Sequence, residues 1–215
     1  MTRDEALSLV TPVAAEQTGY VSARQAAGQG VENRMLVKLA EQGLLRRVRR
    51  GVYIVEPGRA ASRHEDLIGA YLELAGGEPP WSTNAPRAFV SHASAAALHE
   101  LGTIIPGLPE LTIPRRGARA RQDVTIHVAR IVRPDWTWLR VDDGLRLPVT
   151  TPARTIVDLA RDGEEADYLE KAIRAAFPDA AAARGELATA AARLLTRSAT
   201  LRRHLNHLAA NAWEA

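Results

Sequence analysis

Arg46, Arg47, Arg49 and Arg50 fall within five positions of one another. Guanidinium groups at that density are suited to phosphate, because each planar fork donates parallel hydrogen bonds to anionic oxygens without reading what lies between them. Upstream stand Asn33 and Arg34, with Lys38 one helical turn later. Asn and Arg are the side chains that pair bidentately with the edges of adenine and guanine, so the two groups together would grip a duplex backbone and read bases. Between Val31 and Ala60, seven basic residues (Arg34, Lys38, Arg46, Arg47, Arg49, Arg50, Arg59) face three acidic ones (Glu32, Glu41, Glu56), which leaves the segment at +4. Ser22 and Arg24, just before this segment, and Glu32 within it complete the candidate DNA-binding set.

These side chains are useful only if the chain aims them. Ser22 followed three residues later by Gln25 is a capping box that starts a short helix. Gly28 and Gly30 then break the chain at the spacing of a helix-turn-helix corner. Val31, Met35, Leu36, Leu39 and Ala40 recur at helical spacing, leaving Glu32, Asn33, Arg34, Val37, Lys38 and Glu41 on the opposite face, and Gly43 supplies a stop. Leu44 to Val48 and Val52 to Val55 read as two strands joined by Arg49-Arg50-Gly51, a hairpin with charge at its tip. The pattern predicts a winged helix-turn-helix whose second helix lies in the major groove while the hairpin holds phosphate. The bland alternative is a docking or dimerisation unit with a solvated basic face.

Beyond that stretch, 215 residues at 46% hydrophobic and 25% charged predict an α+β protein of two domains. The formal net charge is only +3, so basicity informs through its clustering. Cysteine is absent, which excludes disulfides, thiol nucleophiles and thiolate metal sites. No stretch reads as a signal peptide or membrane span, so the expectation is a cytoplasmic protein without a membrane partner. No cofactor is expected.

Residues 3 to 16 read as a first helix capped by Thr2 and interrupted or kinked by Pro12. A turn at Glu56-Pro57-Gly58-Arg59 suggests a boundary, giving domains at 1–57 and 62–215. A helix from His64 to Ala75 follows a second box, Ser62 with Glu65, and residues 76 to 86 read as an exposed loop. Phe89-Val90 reads as a strand entering a helix capped by Ser91 and closed by Gly102. Ser91 beside His92 could be nucleophile and base, but nothing like Gly-x-Ser-x-Gly surrounds the pair, and a capping Ser with a buried His is the plainer reading. His92 and His99 share a helical face yet lack a third ligand, so no metal site is assigned. Glu110 to Pro114 and Val124 to Arg130 look like paired strands around a loop bearing Arg115, Arg116, Arg119 and Arg121, either an auxiliary phosphate clamp or docking site for an acidic partner, or a solvated hairpin tip. Leu145 to Val149 reads as another strand. Thr151 caps the next helix with Pro152 in its first position, and Arg154 with Asp158, four apart, reads as a structural ion pair or as an anchor for neighbouring loops. From about residue 164 the chain is Ala-rich and helical, a cap of three helices (164 to 177, about 185 to 196, and 200 to 212), with His204-x-x-His207 assigned to its surface.

Three segments together, Gly19 to Val55 ending in Arg-Arg-Gly-Val-Tyr, Ser-His-Ala-Ser-Ala-Ala with Leu-His after it, and Thr-Thr-Pro-Ala-Arg-Thr-Ile-Val-Asp-Leu-Ala, resemble the AbiEi antitoxins of type IV toxin-antitoxin systems over roughly residues 1 to 165. The resemblance implies a winged helix that binds inverted repeats upstream of its own operon, and a C-terminal domain that contributes to antitoxicity against a nucleotidyltransferase-like toxin. His99-Glu100 stands where the family has His-Gly. The front portion also resembles proteins that continue into a very-short-patch-repair-like endonuclease, but the clustered carboxylates such a domain requires are missing from this sequence.

The reading is therefore a DNA-binding repressor of its own operon and antitoxin, not an enzyme, with double-stranded DNA carrying an inverted-repeat operator as partner and a homodimer as the candidate assembly. The competing class is an interaction adaptor whose C-terminal domain binds the toxin, with DNA binding secondary; an enzyme is third.

Overall fold

A computed structural model describes residues 1–55, 62–76, 86–114, 121–141 and 145–213. The chain forms two compact units, Met1–Ala88 with Trp138–Pro148, and Phe89–Thr137 with Val149–Ala215. The turn at 56–59 lies outside the described residues, and the first unit continues past it to take in a further helix.

That first unit begins with helix α1 (Arg3–Ala15), where Thr2 and Glu5 form a reciprocal capping box and Pro12 sits inside the helix without ending it. Strand β1 (Tyr20–Ser22) has no counterpart among the sequence expectations; helix α2 (Ala23–Gly28), helix α3 (Asn33–Glu41), strand β2 (Leu45–Arg49) and strand β3 (Val52–Val55) follow it in the expected order. Both strand pairings are antiparallel, in the order β1-β3-β2, so the hairpin is stitched back onto the chain just before α2. Ser22 and Gln25 make the second capping box. The Gln17 and Gln25 side-chain amides exchange bonds of 3.0 and 2.9 Å in the interior, fastening the end of α1 to α2. Val10, Val21, Leu36, Leu39 and Tyr53 form the core between the helices and the sheet.

Helix α4 (Glu65–Ala75) completes the unit. The box expected of Ser62 and Glu65 does not form: Ser62 Oγ accepts from the His64 amide, and the Glu65 carboxylate is held by Arg46 instead. Gly69 is a point of close approach between α4 and the hairpin, since a Cβ there would fall 2.7 Å from Arg49 Cδ and 3.1 Å from Val48 Cγ1. Only a residue without a side chain lets the helix lie this near.

The second unit is built on strands β4 (Phe89–Val90), β5 (Glu110–Ile113) and β6 (Thr125–Val128), with the ends of β7 (Trp136–Arg140) and β8 (Arg146–Thr150), in the sheet order β6-β5-β4-β8-β7. β5 and β6 were expected to flank a hairpin tip, but they run parallel, Leu111 beside Ile126. A parallel pair cannot be closed by a tight turn, so the expected hairpin between these two strands is ruled out. Strand β7 has no counterpart among the sequence expectations. Its Trp136 packs on Phe89 with ring centroids 5.4 Å apart, beneath the Arg133 guanidinium.

Helices α5 (His92–Leu98), α6 (Pro152–Asp162), α7 (Ala166–Ala176), α8 (Ala180–Leu194) and α9 (Ala199–Asn211) supply the rest. Thr151 caps α6 with Pro152 in its first turn, as the sequence requires. α8 begins at an Asp179 cap, well before the expected start near Gly185, because five Ala and Arg residues ahead of that Gly are strong helix formers. Ile156, Leu169, Leu187, Leu205 and Leu208 form the core these helices share. Arg154 lies inside this unit, 1% exposed, with Nε 2.6 Å from Asp158 and Nη1 3.4 Å from Asp135. Asp135 also accepts from Arg193, and Arg161 reaches the other oxygen of Asp158 at 3.0 Å. No helix among the described residues is long and apolar enough to cross a membrane.

Candidate nucleic-acid interface

Helix α3 turns Leu36 and Leu39 into the core and leaves Asn33, Arg34 and Lys38 exposed, with Glu32 beside them as the N-cap residue. The burial follows the apolar spacing read from the sequence. Arg34 pairs with Glu32 at 2.8 Å, but the two side chains are 83% and 66% exposed, so the pair is a weak one that an incoming acceptor can displace. Asn33 is steadied from beneath, because the Tyr53 hydroxyl donates to its Oδ1 at 3.5 Å from an otherwise buried ring. Burial pushes the Tyr53 phenol above its ordinary value, so it remains a donor at neutral pH; the nearby Arg47 charge partly offsets that shift. Arg47 pairs with Tyr53 across the hairpin, which places an exposed guanidinium on the strand next to the start of α3. A cleft of ≈ 400 Å³ along the same face is lined by Met1, Gly30, Glu32, Arg34, Met35 and Lys38.

The hairpin divides its four arginines. Arg47 and Arg50 are exposed, the latter in the turn with Gly51, whose φ of 70° only glycine adopts freely. Arg46 is not available to phosphate as expected. Both of its terminal nitrogens bond the Glu65 carboxylate at 2.6 Å, and that bond holds the guanidinium firmly charged and the carboxyl below its usual value. Arg49 is not at the tip either. A bulge at Val48 shifts the register between Arg47 and Arg49 and extends β2 by one residue, so the Arg49 side chain turns inward, 6% exposed, with Glu73 at 3.7 Å and Asp66 at 3.9 Å.

Among the other expected contacts, Arg24 is exposed on α2, whereas Ser22 is buried and its hydroxyl is spent on the Gln25 amide. Of the second basic patch, Arg115, Arg116 and Arg119 lie outside the described residues, and Arg121 is exposed. The residues that sequence reasoning missed are the acidic ones on α4. Glu65, Asp66 and Glu73 at helical spacing were the available signal, since an acidic face following an arginine-rich hairpin invites pairing.

The nucleophile reading of Ser91 fails on access. The residue is wholly buried, sits at the start of α5 without capping it by its side chain, and instead bonds His92 Nδ1 at 2.9 Å and accepts from Thr112 at 2.8 Å. His99 does not join His92. Its Nε2 donates to the Thr150 carbonyl at 2.8 Å, and burial pushes its pKa down.

Comparison with solved structures finds the crystal structure of the RV2827C protein from Mycobacterium tuberculosis, at a TM-score of 0.60 and 17% identity, covering 97% of this chain and 78% of that one. At that identity the likeness is one of fold. No curated protein matches the chain. Residues 8–55, from the middle of α1 to the end of β3, match the family model described as "Transcriptional regulator, AbiEi antitoxin". That segment, with its exposed α3 face and basic hairpin, carries the signature of the AbiEi antitoxin transcriptional regulators.

Proposed function

We propose that the first unit is a winged helix that binds an inverted-repeat operator upstream of its own operon as a repressor, with α3 in the major groove and the hairpin on the backbone. The observation that carries this reading is the grouping of Asn33, Arg34 and Lys38 on one exposed face of α3, with Tyr53 linking Asn33 to the strand that bears Arg47. A base-reading pair and a phosphate-holding pair are then presented on one side of a small rigid support. Arg47 and Arg50 hold phosphate in this arrangement, and Arg24 is placed to add a third contact.

The matched family's description supports an antitoxin role; in this reading the second unit engages a nucleotidyltransferase-like toxin. A two-fold operator is met by a homodimer, each copy presenting one α3 to a half-site.

The test is an electrophoretic shift with the DNA that precedes the reading frame, followed by selection of bound sequences from a random pool. Asn33→Ala and Arg34→Ala should each relax base preference at one or two positions of each half-site, since a bidentate pair contributes about 1–3 kcal/mol of discrimination, while non-specific binding survives. An unchanged consensus in both variants overturns the assignment of α3. Co-expression with the product of the adjacent frame tests the antitoxin half separately.

A further inference from the structure

His92 at the start of α5, His127 on β6 and Asp162 at the end of α6 come together from three elements far apart in sequence, all within the second unit. Asp162 Oδ2 lies 3.4 Å from His92 Nε2 and 3.6 Å from His127 Nδ1, and the two imidazoles stack with centroids 3.4 Å apart. We propose that His92 Nε2, His127 Nδ1 and the Asp162 carboxylate bind a zinc ion, with Glu110 and Ser91 orienting the two rings from behind.

The argument is one of hydrogen-bond arithmetic. His127 Nε2 is 2.8 Å from the Glu110 carboxylate, which can only accept, so the ring proton sits on that nitrogen and the Nδ1 lone pair faces Asp162. Ser91 Oγ takes up His92 Nδ1 at 2.9 Å and is itself fixed by the Thr112 hydroxyl. His92 Nε2 is left buried in a side chain 2% exposed, without a hydrogen-bond partner among the described residues. Whichever tautomer His92 adopts, the arrangement is unsatisfied: an N–H at that position reaches no acceptor in good geometry, and a lone pair faces a carboxylate. A cation shared by the three atoms resolves both cases. Burial and the neighbouring His127 push His92 down to about 4, so it presents the neutral imidazole a metal requires.

The distances suit zinc. Ligands about 2.0–2.1 Å from a tetrahedral ion lie about 3.4 Å from one another, close to the two separations found at Asp162. Two imidazole nitrogens and a carboxylate form a borderline donor set of the kind zinc accepts in sites with an open fourth position. The pairing of Glu110 with the far nitrogen of His127 is the carboxylate–histidine support that metal-ligating imidazoles usually carry. Asp162 is 45% exposed and gives the ion an entry path. Arg161 also acts on His92, and its guanidinium is engaged by Asp158 at 3.0 Å and by the other Asp162 oxygen at 3.9 Å. Bringing both nitrogens onto one ion tilts the stacked rings about their contact.

The test uses the full chain, stripped with a chelator and titrated with Zn²⁺ against a chromophoric competitor. A single tight equivalent is expected, with a rise in Tm on binding and tetrahedral visible bands when Co²⁺ replaces zinc. Asp162→Asn and His127→Gln should each weaken binding about 100-fold or more, and Glu110→Gln about 10- to 100-fold. Circular dichroism checks that each variant folds, and the half-exposed Asp162→Asn is the variant to rely on if His127→Gln does not. Replacing His204 and His207 together, on the surface of α9, should change nothing. Absence of a saturable equivalent, or one that survives Asp162→Asn, overturns the proposal.

Discussion

Arg46 and Glu65 meet through two hydrogen bonds of 2.6 Å, one from each terminal guanidinium nitrogen, across nineteen residues of sequence. The pair spans the hairpin and α4, and the two side chains are only 34% and 18% exposed. A forked pair in fixed geometry should contribute more than an ordinary surface ion pair. A double-mutant cycle of Arg46→Gln and Glu65→Gln, followed by urea unfolding, should return a coupling of about 1 kcal/mol. Arg46 holds the Glu65 carboxyl below its usual value of 4.5, so the coupling is fully present above that pH and fades as pH falls through the lower folded value. A coupling that persisted in strong acid would contradict the ion-pair account.

The same division of labour among the arginines gives a second expectation. Arg47 and Arg50 are exposed and pair with no acidic side chain among the described residues, and each neutralises a phosphate in the proposed complex, so Arg47→Ala with Arg50→Ala should lower the slope of log affinity against log salt by about 2. The ranking of operator variants should not change, because neither residue reads bases. Arg49→Ala should do the reverse. It leaves the carboxylate of Glu73, itself 9% exposed, without the guanidinium beside it, so stability falls while the salt slope stays put. Equal slopes for the Arg47/Arg50 variant and the parent would take the hairpin off the DNA.

How much of this was legible in the residues follows from the range of each interaction. Ser22 with Gln25, Thr2 with Glu5 and Thr151 with Pro152 are local, set by neighbours within three residues, and the structure has all three where the sequence places them. The exposed face of α3 follows from the spacing of Leu36 and Leu39 for the same reason. What the sequence could not supply were partners from other elements. Glu65 satisfies the spacing of a capping box, yet an arginine nineteen residues upstream competes for its carboxylate and wins, because a charge-assisted fork outweighs one backbone amide. Arg49 looked like a tip residue until the bulge at Val48 added a residue to the strand. β5 and β6 carry no mark of parallel pairing, since strand direction depends on the crossover and not on the strand's own residues. His127 gave no hint that it would stack on His92, thirty-five positions away.

His99 offers a test of burial by pH. Its imidazole donates to the Thr150 carbonyl from a mostly buried position, and burial holds its pKa below the ordinary 6.5. The unfolded chain therefore binds a proton more readily than the folded one, so stability from this group is complete above about pH 6.5 and is lost as pH falls below it. His99→Gln keeps a donor but cannot titrate. Between about pH 7.5 and about pH 5.5 the parent should lose more stability than the variant. Part of the parent's loss will remain in the variant, because His92 is also held low, at about 4. Parallel pH profiles would mean that His99 titrates normally.

The strongest stability expectation concerns Arg154. The guanidinium is 1% exposed and faces two carboxylates, Asp158 at 0% and Asp135 at 2%, so its removal strands negative charge where water cannot reach. Breaking such a pair from one side costs about 3–5 kcal/mol, well above the loss of one hydrogen bond, because the desolvation of the surviving charge is no longer offset. Arg154→Met should show that cost in urea unfolding. The effect should fall unequally on the two carboxylates: Asp135 keeps Arg193, and Asp158 keeps, among the described residues, the partly exposed Arg161 at 3.0 Å. Adding Asp158→Leu to Arg154→Met should then recover a good part of the loss, since the charge left unpaired has been replaced by an apolar group. Asp135→Leu in the same background should recover less, because it leaves Asp158 exposed to the same penalty and takes Arg193's partner away. If the single Arg154→Met change costs under about 1 kcal/mol, the buried network is not what holds Asp135, α6 and α8 together.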